Sequence, residues 1–336
     1  MHLPRVVVLA LFGGVAAGSL AAQIPTRRRT DQQAAASLPR LLVANPHSFA
    51  LPDSAVSVQI GNALRLRMEK VASGTWFPIP RQQMNDALRQ FGYPDDAILP
   101  LLVQRTFAAS MQARVLMSST LTRVEGGKYA VSARLAGLND DAGNVVALTQ
   151  GAGQTAEAFG NAIADGFQAA VKTAADAKAC IDQQTTARDK AVAAAKKALA
   201  AMPSNGLAHF CLAQLGFGKN THADSAEASK ELQAAVAGDP LSLKGFTQLA
   251  QRYENAGDTT RTVDALKQML LIAPTNEPLR EQAFKLFLKY ERPEAAQQAA
   301  EEGLKIDPTN ADLWDLLSNA CVYRSNFKCA VDALEQ

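Results

Sequence analysis

Residues 243–310 decide how the second half of this chain is interpreted. They read LKGFTQLAQRYENAGDTTRTVDALKQMLLIAPTN (243–276) and then EPLREQAFKLFLKYERPEAAQQAAEEGLKIDPTN (277–310). Both segments are 34 residues long and both end in Pro-Thr-Asn. Apolar residues recur at helical spacing within each segment. A period of roughly 20–50 residues is typical of proteins built from stacked structural repeats.

Prolines that follow helical stretches carry a similar period through the second half of the chain. Pro203 and Pro240 are 37 residues apart, and the intervals from Pro240 to Pro274 and from Pro274 to Pro308 are both 34 residues. Because a proline seldom continues a helix, each one marks the end of a helical pair. The spacing therefore predicts an array of helical hairpins.

Residue types also recur in a fixed order within the period. An aromatic residue is followed by leucine beside a small residue, then by a second aromatic residue and a glycine-containing turn: Phe246, Leu249-Ala250, Tyr253 and Gly257-Asp258. The order recurs as Trp314 and Leu317-Ser318, with Cys321 in place of the second aromatic residue and Ala330 in the second helix. This order resembles the tetratricopeptide repeat (TPR) family.

The resemblance implies an all-α superhelix over residues 173–336, made of two-helix units. These units are 173–205, which is degenerate, 206–242, 243–276, 277–310 and 311–336, which is incomplete. A single hairpin cannot bury its apolar face, so the units are expected to stack. Since the last unit stops within its second helix, either the natural chain continues beyond Gln336 or a partner completes the array, and we expect the chain to continue.

Stacked hairpins are expected to curl and to leave a concave face formed by the first helices, which is the expected site for a protein partner. Small residues are expected where paired helices cross: Ala250, Ala283 and Ser318. The polar lining of the face is predicted to include Lys244, Gln248, Gln251, Glu281, Gln282, Lys285, Lys289, Asp315 and Asn319. The alternative is that these side chains only keep the helices solvated.

Residues 39–172 show a different pattern, in which short apolar runs alternate with helical stretches. This pattern predicts an α/β domain with a small mixed sheet and flanking helices. Two adjacent glycines, Gly126 and Gly127, predict a hairpin turn because glycine adopts positive φ readily. The predicted strands are 40–44, 76–79, 113–123, 128–138 and 145–150, and the predicted helices are 54–71, 80–91, 97–110 and 154–172.

Several short segments give this half a resemblance to the N-terminal domain of TolB and to the core of the curli-secretion lipoprotein. The segments are Leu41–Pro46, Val115–Leu121, Gly126–Tyr129, Arg134-Leu135 and Asp141–Asn144. TolB continues into a β-propeller and this chain does not, so TolB's partners are not carried over. The resemblance implies an exported binding module without an active site.

The N-terminus has the pattern of an export signal. Arg5 precedes an apolar run from Val6 to Ala17, and Ser19-Leu20-Ala21 resembles a cleavage site. Residues 1–22 are therefore predicted to be a signal peptide and 23–38 a flexible leader. An uncleaved membrane anchor from Leu3 to Ala22 is the alternative. The favoured interpretation is an exported protein, periplasmic or secreted, with no stable membrane span after signal removal.

Composition and motif spacing argue against several other functions. The chain contains 34 Lys and Arg residues and 32 Asp and Glu residues, so its charge is nearly balanced. Outside the N-terminus no run of basic residues is interleaved with aromatic residues, and no nucleic-acid partner is therefore expected. Neither the histidines nor the cysteines have metal-binding spacing. Residues 151–156 resemble a dinucleotide-binding turn, but no parallel strand is predicted after them. No cofactor, metal or catalytic residue is predicted.

All four cysteines lie in the helical half of the chain. Cys321 and Cys329 flank a predicted turn between two helices, and Cys180 and Cys211 fall on the first helices of adjacent units. We predict the disulfides Cys321–Cys329 and Cys180–Cys211, because an exported protein meets an oxidising compartment. Buried free thiols are the alternative.

These observations predict a non-catalytic exported scaffold or adaptor that binds proteins in the cell envelope. A ligand-sensing module is the alternative, in which the α/β domain binds a small molecule and the repeats transmit its presence.

Overall fold

The computed structural model of this protein describes residues 37–48, 50–217 and 222–336. The predicted signal peptide, 1–22, and nearly all of the leader, 23–38, lie outside the described residues. Pro39–Gln336 form one compact unit. Within this unit the chain first forms a sheet with helices and then a long series of paired helices.

The first part of the unit is built around a mixed sheet, as predicted, and this sheet has six strands. The strands are β1 (Arg40–Val43), β2 (His47–Ser48), β3 (Phe77–Pro78), β4 (Val115–Arg123), β5 (Tyr129–Gly137) and β6 (Asn144–Thr149). Neighbouring strands follow the order β3-β1-β4-β5-β6, and β2 lies beside β4. β1 runs parallel to β3 and β4, whereas β4, β5 and β6 form an antiparallel meander. The short β2 has no counterpart in the predicted strands.

The predicted hairpin joins β4 to β5. Gly126 and Gly127 have φ values of 73° and 69°, and the adjoining register places Arg123 opposite Tyr129. A side chain with a β-carbon is strained at such φ values, so the glycine pair determines where the chain reverses. The turn expected from the sequence is confirmed.

Helices cover both faces of the sheet, because the side chains of the interior strand β1 alternate between two apolar cores. Leu41 and Val43 of β1 point to one core and Leu42 points to another. α1 (Ser54–Val71) and α4 (Ala156–Gly166) enclose the first core, while α2 (Arg81–Gln90) and α3 (Leu101–Ser110) enclose the second. The sheet is therefore the middle layer of three.

Two predicted helices differ from the observed ones. The helix predicted at 97–110 begins at Leu101, because Pro100 has an extended ψ of 148° and disfavours helix in the residue before it. The helix predicted at 154–172 is two helices, α4 and α5 (Gln168–Gln183), that meet at Phe167, which is fully buried. α5 thus crosses the predicted domain boundary at 172/173, which stays a prediction.

The second part of the unit consists of antiparallel helical pairs. Each helix packs against the next one along the chain, so that pairs stack on their neighbours. The helices after α5 are α6 (Arg188–Ala201), α7 (Gly206–Phe217), α8 (His222–Gly238), α9 (Leu243–Asn255), α10 (Thr259–Ile272), α11 (Glu277–Lys289), α12 (Pro293–Ile306), α13 (Ala311–Tyr323) and α14 (Phe327–Leu334). α5, α7, α9, α11 and α13 are the first helices of their pairs.

Recurrent polar residues fix where the first helices begin. The side chains of Ser242, Asn276 and Asn310 each accept a hydrogen bond from the backbone N–H three residues on, at 3.0–3.2 Å. Such caps satisfy donors that a helix N-terminus leaves unpaired. The Pro-Thr-Asn triplets that reveal the period in the sequence therefore also set the helix boundaries.

Small residues occupy the predicted crossing points. Ala250, Ala283 and Ser318 are all buried, and Ala283 has no exposed surface. Phe287 fills the space beside Ala283 and is also fully buried. These residues let the paired helices approach closely while large side chains supply the apolar area.

His209 of α7 is expected to make the fold more stable at mildly acidic pH. Its Nδ1 lies 2.6 Å from Glu231 Oε2 in α8, and its Nε2 lies 2.8 Å from the carbonyl oxygen of Pro203. Both ring nitrogens therefore face acceptors. The hydrogen bond to Glu231 raises the pKa of His209, although burial acts in the opposite direction.

A raised pKa means that the folded chain holds this proton more tightly than the unfolded chain. The stabilisation is complete below the unfolded pKa of about 6.5 and is lost as pH rises through the folded pKa. His209→Gln should therefore lower the free energy of unfolding more at about pH 5.5 than at about pH 9. Urea denaturation of both proteins at both pH values tests this, and equal losses would contradict it.

Candidate functional site

The predicted polar lining lies on three first helices, α9, α11 and α13. Every predicted side chain on them is exposed except Gln248, which is partly buried. We call this set the first-helix face: Lys244, Gln248 and Gln251 on α9, Glu281, Gln282, Lys285 and Lys289 on α11, and Asp315 and Asn319 on α13.

Polar contacts join neighbouring repeats along this face. Gln248 Oε1 accepts a 2.8 Å hydrogen bond from Gln214 Nε2 of α7, and Lys289 Nζ lies 3.3 Å from Glu254 Oε1 of α9. The hydroxyl of Tyr290 also donates to Glu254, at 2.8 Å. Burial and the nearby Glu254 raise the pKa of Tyr290 to about 12, so the phenol keeps the proton that it donates. The sequence did not single out Glu254, because its partners lie 35 and 36 residues further along the chain.

A groove of about 430 Å³ separates α11 from α13 within this face. Its lining includes four carboxylates, Glu277, Glu281, Asp312 and Asp315, of which Glu281 is paired with Lys285. The one cation among the lining residues, Arg280, is buried and donates to the carbonyl oxygens of Ala299 and Pro274. Burial lowers the pKa of Arg280. Arg280 occupies the place of the first aromatic residue in the TPR pattern. Its hydrogen bonds join the repeat to the preceding turn, so its donors are not available to a ligand in the groove.

Polar contacts also tie the sheet to the array. The carboxylate of Asp239, which follows α8, has no exposed surface and lies 2.7 Å from Arg134 Nη2 of β5. The same carboxylate accepts a 2.7 Å hydrogen bond from the backbone N–H of Gly143. Close by, Ser242 Oγ donates to the carbonyl oxygen of Asp141 at 2.6 Å. The Asp141–Asn144 segment, which connects β5 to β6, is thus the loop through which the sheet docks on the array.

A cavity of about 400 Å³ lies at the same junction. The sheet side contributes Trp76 and the ends of β4 and β5, and the array side contributes α5 and the start of α7. The apolar part of its wall includes Trp76, Val115, Leu135, Ala174, Ala177 and Leu207. Sequence analysis missed this cavity, because its walls come from distant segments that each resemble ordinary core.

Both predicted disulfides are present in the structure. Cys180 of α5 is joined to Cys211 of α7, and Cys321 of α13 is joined to Cys329 of α14. The first links neighbouring first helices, and the second closes the turn within one pair. Both members of the first pair are fully buried.

Within residues 37–48, 50–217 and 222–336, no group of three or more His, Cys, Asp or Glu side chains is placed to hold a metal ion. No helix in that part is both long enough and apolar enough to span a bilayer. β6 pairs antiparallel to β5, so the glycine turn that follows β6 lacks the parallel setting of a dinucleotide site.

Several solved structures are similar to part of this chain. MamA is 18% identical with a TM-score of 0.32 over 48% of this chain and 88% of its own. A tetratricopeptide repeat protein from Parabacteroides merdae is 16% identical, with a TM-score of 0.32 over 47% and 64% of the two chains. YrrB, described as a TPR protein with an unusual peptide-binding site, is 16% identical, with a TM-score of 0.31 over 46% and 79%.

The helical half is a TPR-like array. The likeness to these proteins concerns fold alone. No family model matches the sequence, and no curated protein matches it. The resemblance of the sheet to the TolB N-terminal domain receives no support from these comparisons.

Proposed function

We propose that this chain is an exported, non-catalytic TPR adaptor that binds a protein partner along its first-helix face. The observation that carries the proposal is the exposed polar surface that continues across α9, α11 and α13 and contains an open groove. Large exposed surfaces on solenoid arrays are well suited to extended protein partners. Glu281 and Lys289 are engaged in ion pairs within the chain, whereas side chains such as Gln251, Gln282 and Asn319 are exposed and open to a partner.

The export part of the proposal rests on the sequence of the first 22 residues and on the disulfides. Disulfides persist in oxidising compartments and are rare in the cytosol. A role in envelope assemblies, and a TolB-like binding role for the sheet half, are proposed on the sequence resemblance.

The charge of the groove indicates which segments of a partner it favours. Four carboxylates line it, and the single lining guanidinium is engaged by backbone carbonyl groups. A partner segment rich in Lys or Arg complements this charge, and such complementarity raises the association rate at low salt. We therefore expect the partner complex to weaken as salt concentration rises.

Site-specific photo-crosslinking is expected to place the partner on the first-helix face. A benzophenone side chain at Gln282 or Asn319 should capture the partner in extracts of the producing cells. Gln268 of α10 and Gln298 of α12 are matched controls, since both are exposed glutamines on second helices. Equal capture from both sets of positions, or capture only from the second helices, would contradict the assignment.

Charge reversal then tests the groove with the captured partner. Glu281→Lys combined with Asp315→Lys should weaken binding at least about tenfold, because like charges at an interface cost several kcal/mol. Asp264→Lys on α10 is the control, since Asp264 is exposed outside the groove and should leave affinity unchanged.

A further inference from the structure

The junction cavity has an apolar interior but a charged rim. Its lining includes three charged side chains, Arg114, Asp140 and Lys178. Lys178 Nζ lies 3.1 Å from both Asp140 Oδ1 and Asp182 Oδ1, so this ammonium is already engaged by two carboxylates of the chain. The remaining charged group on the rim is the guanidinium of Arg114.

Arg114 directly precedes β4, and its side chain is exposed. Its backbone N–H donates to the carbonyl oxygen of Arg40. Among the residues that the structure describes, the guanidinium has no ion-pair or hydrogen-bond partner. A guanidinium presents donors in a planar fork that matches a carboxylate. The rim therefore offers a site for one anionic group beside an apolar chamber.

We propose that this cavity binds a small organic monocarboxylate, with its apolar body among Trp76, Leu135 and Ala174 and its carboxylate at Arg114. A volume of about 400 Å³ falls in the usual range for small-molecule sites, roughly 300–1,000 Å³, which are mostly apolar with a few polar groups that orient the ligand.

The cavity is lined by residues of both the sheet part and the array, so a bound ligand contacts both parts of the fold. Trp76 and Leu135 belong to the sheet, whereas Ala174, Ala177 and Leu207 belong to the array. A ligand in contact with both parts stabilises their docked arrangement by mass action, since separation of the two walls removes its site. This proposal goes beyond the binding of a protein partner. It assigns a specific site to the alternative function considered from the sequence, in which the protein senses a small molecule.

Titration calorimetry of the whole chain with octanoate, decanoate, dodecanoate and naphthoate tests the proposal. We expect saturable binding of one equivalent of at least one of these carboxylates, with a rise in thermal midpoint that follows the ligand concentration. Arg114→Gln should weaken carboxylate binding roughly tenfold or more and leave binding of the matching alcohol unchanged. Absence of saturable binding for all four carboxylates overturns the proposal.

A substitution that fills the cavity, paired with a control substitution outside it, tests whether the ligand binds in the cavity or on another apolar surface. Ala174→Phe fills the chamber and should abolish binding, whereas Ala179→Phe, on the same helix and equally half-buried but outside the lining, should not. Equal affinity in the two variants, or equal losses for acid and alcohol in Arg114→Gln, contradicts the proposed site. None of these positions belongs to the first-helix face, so partner capture there is measured independently.

Discussion

Asp239→Ala is expected to lower the free energy of unfolding by about 3–5 kcal/mol, the usual cost of removing one partner from a buried ion pair. The carboxylate has no exposed surface and accepts hydrogen bonds from Arg134 and from the N–H of Gly143. Its loss leaves a largely buried guanidinium and a buried amide donor without their acceptor. Urea denaturation followed by circular dichroism measures the change.

The control for this variant is Asp264→Ala. Asp264 is exposed on α10, so its removal should change stability by less than about 0.5 kcal/mol. The double-mutant cycle with Arg134→Met should return a coupling energy of at least about 1 kcal/mol between the two side chains. A loss for Asp239→Ala no larger than the control, or additive effects in the cycle, would show that this contact does not hold the sheet to the array.

Removal of the Cys180–Cys211 disulfide is the second large effect. The bond closes a loop with a sequence separation of 31, and constraint of the unfolded chain by such a loop stabilises the fold by about 3.7 kcal/mol. We expect the paired variant Cys180→Ala and Cys211→Ala to lose about that amount in urea denaturation without reductant.

The second disulfide supplies a matched comparison. Cys321–Cys329 spans a sequence separation of only 8, for which the same relation gives about 2.5 kcal/mol. The paired alanine variant at these positions should therefore be the more stable of the two. The opposite order would show that packing of the sulfurs, and not loop closure, determines the contribution of each bond.

The position of the longer disulfide adds a structural reason for its effect. α5 carries Ala170 and Val171 in the core of the sheet half and Ala177 and Cys180 in the first core of the array. One helix therefore belongs to both cores. The bond from Cys180 to Cys211 fixes that helix against α7, so its loss is expected to weaken the array and its attachment to the sheet together.

Much of the fold follows from local signals in the sequence. The 34-residue period, the capping residues Asn276 and Asn310, and the glycine pair at 126–127 each act over only a few residues. Their consequences could therefore be predicted without knowledge of long-range contacts, and the structure contains both the series of paired helices and the hairpin. Phe167 is different, because its burial in the sheet core interrupts a pattern that looks continuous in the sequence.

By itself, the sequence determined that stacked hairpins follow a mixed sheet and which faces of the hairpins are polar, because hydrophobic periodicity and caps are properties of neighbouring residues. Tertiary structure alone decided that the Asp239 carboxylate accepts a hydrogen bond from Gly143, 96 positions away, and that the junction cavity forms beside them. Those features arise where two surfaces pack, and no local pattern specifies which distant residues meet.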